Sequence, residues 1–369
     1  MAMQPNDEVL TQFGVRLGAP LGGRLNQHWL VEAGRERWVL RRWWRSAASI
    51  DWASINYEVR LVAHLAGLGW PVAPTVIGPT EIAGDAWSLA PFLSGDLPSA
   101  SEPHGEAEGQ RARGRLLAQF HEDLAQLPEM GQRTGWRRCE EILADPALDA
   151  VLTENEPTYP EDVCILRWHL ERARERIAGL PLPSRPGIVV HGDFTPWNLR
   201  FTDGRLTGIL DFELSHWDHR VGDFALSWQG KYDEFIHGYA EVSPLEPEEW
   251  ELITPLWWAQ LIEGACRDLQ NGTRDDGWTI KKLLQRSALM GQDTAEFRWR
   301  RRPAEALKDR PGQEEDEAQE GRSHPDDMER TPAVAALLPV ARQRRDCPRL
   351  HLLDDWDLDQ HGHGQGTDE

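Results

Sequence analysis

The stretch HGDFTPWNLRF, residues 191 to 201, follows the apolar run Ile188-Val189-Val190. An apolar run that ends in polar residues predicts a short buried strand feeding a loop. Loops at strand ends often carry chemistry, because a rigid scaffold aims them. This loop sets Asp193 two residues after His191 and Asn198 five residues after Asp193. Further on, LTGILDFE (residues 206 to 213) is a second apolar strand, ending in Asp211-Phe212-Glu213. Two strand ends therefore offer two carboxylates and an amide. Phosphoryl transfer from a nucleotide needs this set: one carboxylate orients the attacking hydroxyl and accepts its proton, while a second carboxylate and an amide oxygen hold Mg²⁺.

Upstream, residues 11 to 45 read as an antiparallel meander. TQFGVRL (11 to 17) alternates, a glycine-rich turn carries Gly22 and Gly23, and two further strands flank a turn at Gly34. Residues 54 to 68 have helical spacing, with Ile55, Val59, Val62 and Leu65 on one face. Residues 81 to 93 read as a hairpin turning near Gly84-Asp85. Helices are expected over about 105 to 127, 161 to 180, 222 to 241, 246 to 270 and 278 to 297. Asp223 precedes an apolar helical run and reads as an N-cap.

Here the chain resembles the aminoglycoside phosphotransferase/choline kinase family. The resemblance rests on His191-x-Asp193-x-x-x-x-Asn198 followed by Ile209-Leu210-Asp211-Phe212-Glu213, and covers roughly residues 10 to 295. It implies an α+β, two-lobed protein-kinase-like fold. The N-lobe (1–92) would be an antiparallel sheet plus helix that binds nucleotide. The C-lobe (93–297) would be mostly helical and carry the catalytic loops and acceptor site, followed by a disordered tail (298–369). It implies an ATP-dependent phosphotransferase acting on a small-molecule hydroxyl, with Asp193 as the catalytic aspartate, His191 as the structural histidine of the catalytic loop, and Asn198 and Asp211 as Mg²⁺ ligands. It makes Asp223 the aspartate that caps the next helix and braces that loop. Gly22 and Gly23 fall where the family covers the phosphates. Arg41 stands where the family usually has a lysine for the phosphates; it keeps the charge but changes reach and geometry. Glu58 matches the acidic partner of that base. SLAPFL (88 to 93) matches the interlobe hinge, with backbone groups near Ala90 and Phe92 taking the adenine edge. The alternative is a catalytically weak or inactive nucleotide-binding pseudokinase or scaffold, for which Arg41 is the one favouring feature.

Bulk properties narrow the rest. The 369 residues carry a formal charge of −21, which disfavours nucleic acid or an anionic membrane as partner. Cys139, Cys164, Cys266 and Cys347 are widely spaced, which fits neither a zinc site nor a disulfide scaffold and suits a cytoplasmic setting. The start lacks the basic and apolar regions of a signal peptide. Residues 301 to 369 hold seventeen acidic against ten basic residues with no sustained periodicity, the composition of a disordered segment. Of the 18 tryptophans, Trp217, Trp228, Trp250, Trp257, Trp258 and Trp278 follow the catalytic loops. Most are expected in the core; a few, with Glu263, Arg267 and Asp268, are candidates for an acceptor pocket.

Overall fold

A computed structural model describes residues 4–23, 26–43, 49–97, 107–127, 130–180, 187–228, 233–272, 279, 280 and 283. The tail at 298–369, nearly all of the helix expected at 278 to 297, and Trp278 lie outside the described residues. The chain divides into two compact units. One comprises residues 1–138, 185–227 and 234–244; the other comprises 139–184, 228–233 and 245–369.

The first unit begins with helix α1 (Asp7–Phe13), where a strand was expected. Asn6 caps it by accepting from the Val9 amide at 3.0 Å, and Gly14 ends it in the left-handed region at φ 64°. Val9 and Phe13, one turn apart, are buried. Strands β1 (Arg16–Gly22), β2 (Gln27–Ala33), β3 (Glu36–Arg42), β4 (Ile77–Ile82) and β5 (Asp85–Pro91) form one sheet in the order β1-β2-β3-β5-β4. All neighbours in it are antiparallel. Trp29, Val31, Leu40, Trp87 and Leu89 pack with Val9 and Phe13 into its core. Truncating one such buried leucine to alanine costs about 2–5 kcal/mol.

Helix α2 (Trp52–Gly67) connects β3 to β4. Asp51 caps it by accepting from the Ser54 amide at 3.0 Å, and it buries Ile55, Leu61, Val62 and Leu65. Its turn-spaced apolar face also buries one charged residue, Glu58. Helix α3 (Ala107–Leu124) follows the sheet. Strand β6 (Ile188–Val190) pairs with β9 (His216–Asp218), and β7 (Leu199–Thr202) pairs with β8 (Arg205–Ile209) around a turn at Asp203-Gly204. The segment after β5 is stitched to β7 by reciprocal Asp96–Phe201 backbone bonds of 2.8 Å.

The continuous helix expected at 222 to 241 is broken. A 3-10 turn (Arg220–Asp223) precedes α7 (Phe224–Trp228) and α8 (Asp233–Val242). Helices α3 and α8 touch backbone to backbone: a Cβ at Gly114 would fall on the Phe235 carbonyl, and one at Gly238 on the Arg111 carbonyl.

The second unit is helical: α4 (Cys139–Ala144), α5 (Ala147–Asn155), α6 (Pro160–Ala178) and α9 (Pro247–Gln270). Helix α6 packs on α9, burying Leu166 and Leu170 from the first and Leu252, Leu256, Trp257 and Trp258 from the second. Trp258 meets Trp168 and His169 edge-on, so these indoles serve the core. Glu263 pairs with Arg267 along α9 at 3.6 Å. A capping box of Glu246 and Glu249 starts that helix. Among the described residues, no helix is long and apolar enough to cross a membrane.

Candidate active site

The loop between β6 and β7 carries His191, Asp193 and Asn198. Its backbone is held from below by Asp223, whose side chain is fully buried. One carboxylate oxygen of Asp223 accepts from the His191 amide at 2.7 Å, the other from the Gly192 amide at 2.7 Å. Nε2 of His121, on α3, hydrogen-bonds the same carboxylate at 2.9 Å, and its Nδ1 hydrogen-bonds the Tyr239 hydroxyl of α8 at 2.8 Å. Asp223 is therefore no helix cap: both oxygens go to the loop and to His121. Burial alone would favour its neutral form, but the His121 bond and charge and the loop amides outweigh it and hold the carboxyl below its usual range.

His191 is buried as well. Its Nε2 donates to the Leu210 carbonyl at 3.1 Å, and its Nδ1 accepts from the Asp193 amide at 3.2 Å. Both ring nitrogens thus bond backbone, which fixes the neutral tautomer; burial lowers the ring's pKa further. The imidazole lies against Phe212 and Phe194, at 4.7 and 5.6 Å between centroids. Gly192 sits at φ 84°, and a Cβ there would strike the Leu214 backbone, so the turn between histidine and aspartate excludes any side chain.

Asn198 ends a 3-10 turn (Pro196–Asn198) and donates from Nδ2 to the Asp193 carbonyl and to its carboxylate, each at 2.9 Å. With the amide nitrogen so committed, its Oδ1 is the atom left to accept from or ligate something else. Desolvation lifts the Asp193 carboxyl to about 6, against the bond from Asn198, which lowers it. Asp211 follows β8 in the left-handed region, at φ 66°. Desolvation and the neighbouring Glu213 raise its carboxyl well above the usual range, with Arg41 opposing and Glu58 and Asp193 adding to the rise. Although protein crowds this carboxylate, the residue keeps an exposed face.

On the sheet, Arg41 lays both terminal nitrogens on Glu58, with Nη2 to Oε2 at 3.2 Å, and stacks over Trp43 at 3.7 Å. Glu58 is only 2% exposed. Arg42 is committed elsewhere, to Asp85 at 2.9 Å and Gln27 at 3.2 Å. Gly22 and Gly23 have φ of 87° and 125°, and a Cβ at Gly23 would overlap the Asn26 carbonyl. That turn therefore needs glycine for its own shape.

A model described as the phosphotransferase enzyme family matches residues 17–253. The chain belongs to that family. A homoserine kinase of Azorhizobium caulinodans is 28% identical to it, over 65% of this chain and 74% of its own length. Among solved structures, aminoglycoside phosphotransferase APH(4)-Ia in a ternary complex with ADP and hygromycin B is similar at TM-score 0.54 and 17% identity, covering 75% of this chain and 95% of that one. Amicoumacin kinase hAmiN, in complex with AMP-PNP, Ca²⁺ and Ami, is similar at TM-score 0.56 and 13% identity, covering 77% and 92%. The fold is protein-kinase-like, and this member of the family is a phosphotransferase that acts on a small-molecule hydroxyl.

In this phosphotransferase the backbone at the expected hinge is partly taken up by the sheet. Ala90 pairs with Val39 of β3, and the Phe92 amide donates to the Arg37 carbonyl at 3.3 Å. Leu89 turns its carbonyl the other way, to Val76 at 2.8 Å. Strand backbone groups alternate in direction, so the groups of Ala90 and Phe92 point into the sheet rather than at a base.

Three residues near the site were not anticipated. Asn26 donates from Nδ2 to Glu213, tying the glycine turn to the segment after Asp211. Glu213 lay in view, two positions past Asp211. Arg133 was invisible: it is 5% exposed, lies between α3 and α4, and bonds both α2 and the segment after Asp211. Nothing local in GQRTGW (131 to 136) marks it.

Proposed function

We propose that this enzyme transfers the terminal phosphoryl group of ATP to the hydroxyl of a small amino-bearing acceptor, with residues 1–92 holding the nucleotide and residues 93–297 the acceptor. The observation that carries the reading is the Asp193–Asn198 pair beside Asp211. The amide is pinned by nitrogen, and desolvation raises the pKa values of the two carboxyls.

Asp193 accepts the acceptor's proton or orients its hydroxyl; a carboxyl near pH 6 is a better base than an ordinary aspartate. Asn198 Oδ1, Asp211 and Glu213 supply hard oxygens only, a donor set that fits Mg²⁺ and would hold it. Bound there, Mg²⁺ would supply positive charge that offsets the charge on the transferring group. Arg41 keeps one N–H on each terminal nitrogen beyond its two bonds to Glu58, and these would meet phosphate oxygens. His191 and Asp223 act on the loop rather than on substrate. Past the sheet-bound Ala90 and Phe92, alternation leaves the Pro91 carbonyl and Leu93 amide as the backbone groups for the adenine edge.

One observation favours the inactive nucleotide-binding alternative: Arg41 spends both terminal nitrogens on Glu58. The test is ADP release from MgATP with a panel of hydroxyl acceptors headed by homoserine, with Asp193→Asn as blank. Acceptor-dependent release by the wild type alone supports the transfer. Binding of a fluorescent ADP without turnover on any acceptor would leave the alternative.

A further inference from the structure

Arg133 is a heavily bonded buried charge outside the residues already given a role. Its Nε donates to Ser54 Oγ at 2.8 Å and its Nη2 to Glu58 Oε2 at 3.4 Å, both on α2. Its Nη1 lies 2.9 Å from the Glu213 carbonyl, 3.0 Å from that of Ser215 and 3.3 Å from that of Phe212. The same segment adds two more grips on this stretch. Gln132 accepts from the Trp217 amide at 3.1 Å, and Trp136 stacks on His216 at 4.9 Å.

One guanidinium therefore joins the helix that orients Arg41 through Glu58 to the backbone just after Asp211. The two catalytic hands, phosphate-facing and metal-facing, sit on different elements far apart in sequence. Phosphoryl transfer needs both in place at once. A lysine could neutralise Glu58, but a single ammonium cannot spread over two side chains and three carbonyls. Removing the side chain would leave the Glu58 charge to Arg41 and take a donor from the Glu213 and Ser215 carbonyls.

We propose that Arg133 is a positioning residue that locks α2 to the Asp211 segment, so that the Arg41–Glu58 pair and the metal-holding carboxylates are assembled in the resting enzyme, with no separate activation step. The proposal rests on the phosphotransfer reading.

The test uses the full chain as wild type, Arg133→Lys and Arg133→Ala. Fluorescent MANT-ADP binding is titrated with Mn²⁺ in the absence of acceptor, and turnover is then measured on whichever acceptor the wild type uses. For Arg133→Lys, kcat should fall about tenfold or more while the acceptor KM stays within about twofold. Its Mn²⁺ midpoint should rise about tenfold. Added guanidinium ion should restore part of the lost turnover in Arg133→Ala, which a merely structural residue would not show. If Arg133→Ala does not fold, Arg133→Lys decides by kcat and the Mn²⁺ midpoint together. An Arg133→Lys enzyme with both unchanged overturns the proposal while leaving phosphotransfer intact. Wild type that binds no MANT-ADP at any Mn²⁺ concentration removes the phosphotransfer reading, and this proposal with it.

Discussion

Asp223 and Asp193 flank the same loop and differ in what surrounds their charge. Beneath the loop, Asp223 is fully enclosed yet held ionised, because two amides and His121 point at it. Desolvation raises the pKa values of Asp193 and Asp211, whose few partners do not offset it. The contrast separates two uses of one side chain. A carboxylate whose bonds are complete within the protein holds structure; one left short of counter-charge is ready for a ligand.

The largest effect should come from Asp223→Asn. It removes a buried charge from its donors and should cost about 3–5 kcal/mol in urea unfolding. A loss below about 1 kcal/mol would mean the loop does not depend on this network. Asp193→Asn should do the reverse to stability while cutting kcat by about 10²–10⁴. A folded-state pKa raised to about 6 gives stability that is complete below the unfolded value and is lost as pH rises through 6. Asp193→Asn should therefore stabilise the unliganded protein at pH 7.5 by about 1–3 kcal/mol, and the gain should vanish near pH 4. Thermal melts at the two pH values decide it, and a destabilised variant at neutral pH would break the contrast.

Divalent metal should sharpen it further. Mg²⁺ with ADP should stabilise the wild type by about 1–3 kcal/mol. Chelation should abolish the metal-dependent part, and Asp211→Asn should be indifferent to the metal. The smallest effect serves as a control away from both carboxylates. Asn6→Ala removes the α1 cap and should cost about 1 kcal/mol, with turnover unchanged.

What could be read in the sequence was what chemistry or periodicity packs into a short span. The β6–β7 loop was legible because Asp193 and Asn198 share one short stretch, and α9 because its helical pattern runs over many turns. Helix α1 was misread as a strand: its seven residues are too few for the period to speak, and the caps Asn6 and Gly14 held the signal. Helices α4 and α5 passed unassigned for the same reason. The directions of the Ala90 and Phe92 backbone groups depend on strand register, which no single stretch encodes. Arg133 meets its partners 75 to 82 positions away, so only the folded chain brings them together.

The contact between α3 and α8 has a consequence for how such an enzyme can change. Where Gly114 and Gly238 let main chain touch main chain, the spacing of the two helices is set by atoms that every residue shares. Tyr239 and His121 ride on those helices, so the distance between them is shielded from ordinary side-chain drift. New substrate preferences can accumulate elsewhere in the chain over many generations while this joint stays closed to variation, since even one added methyl group would pry it open.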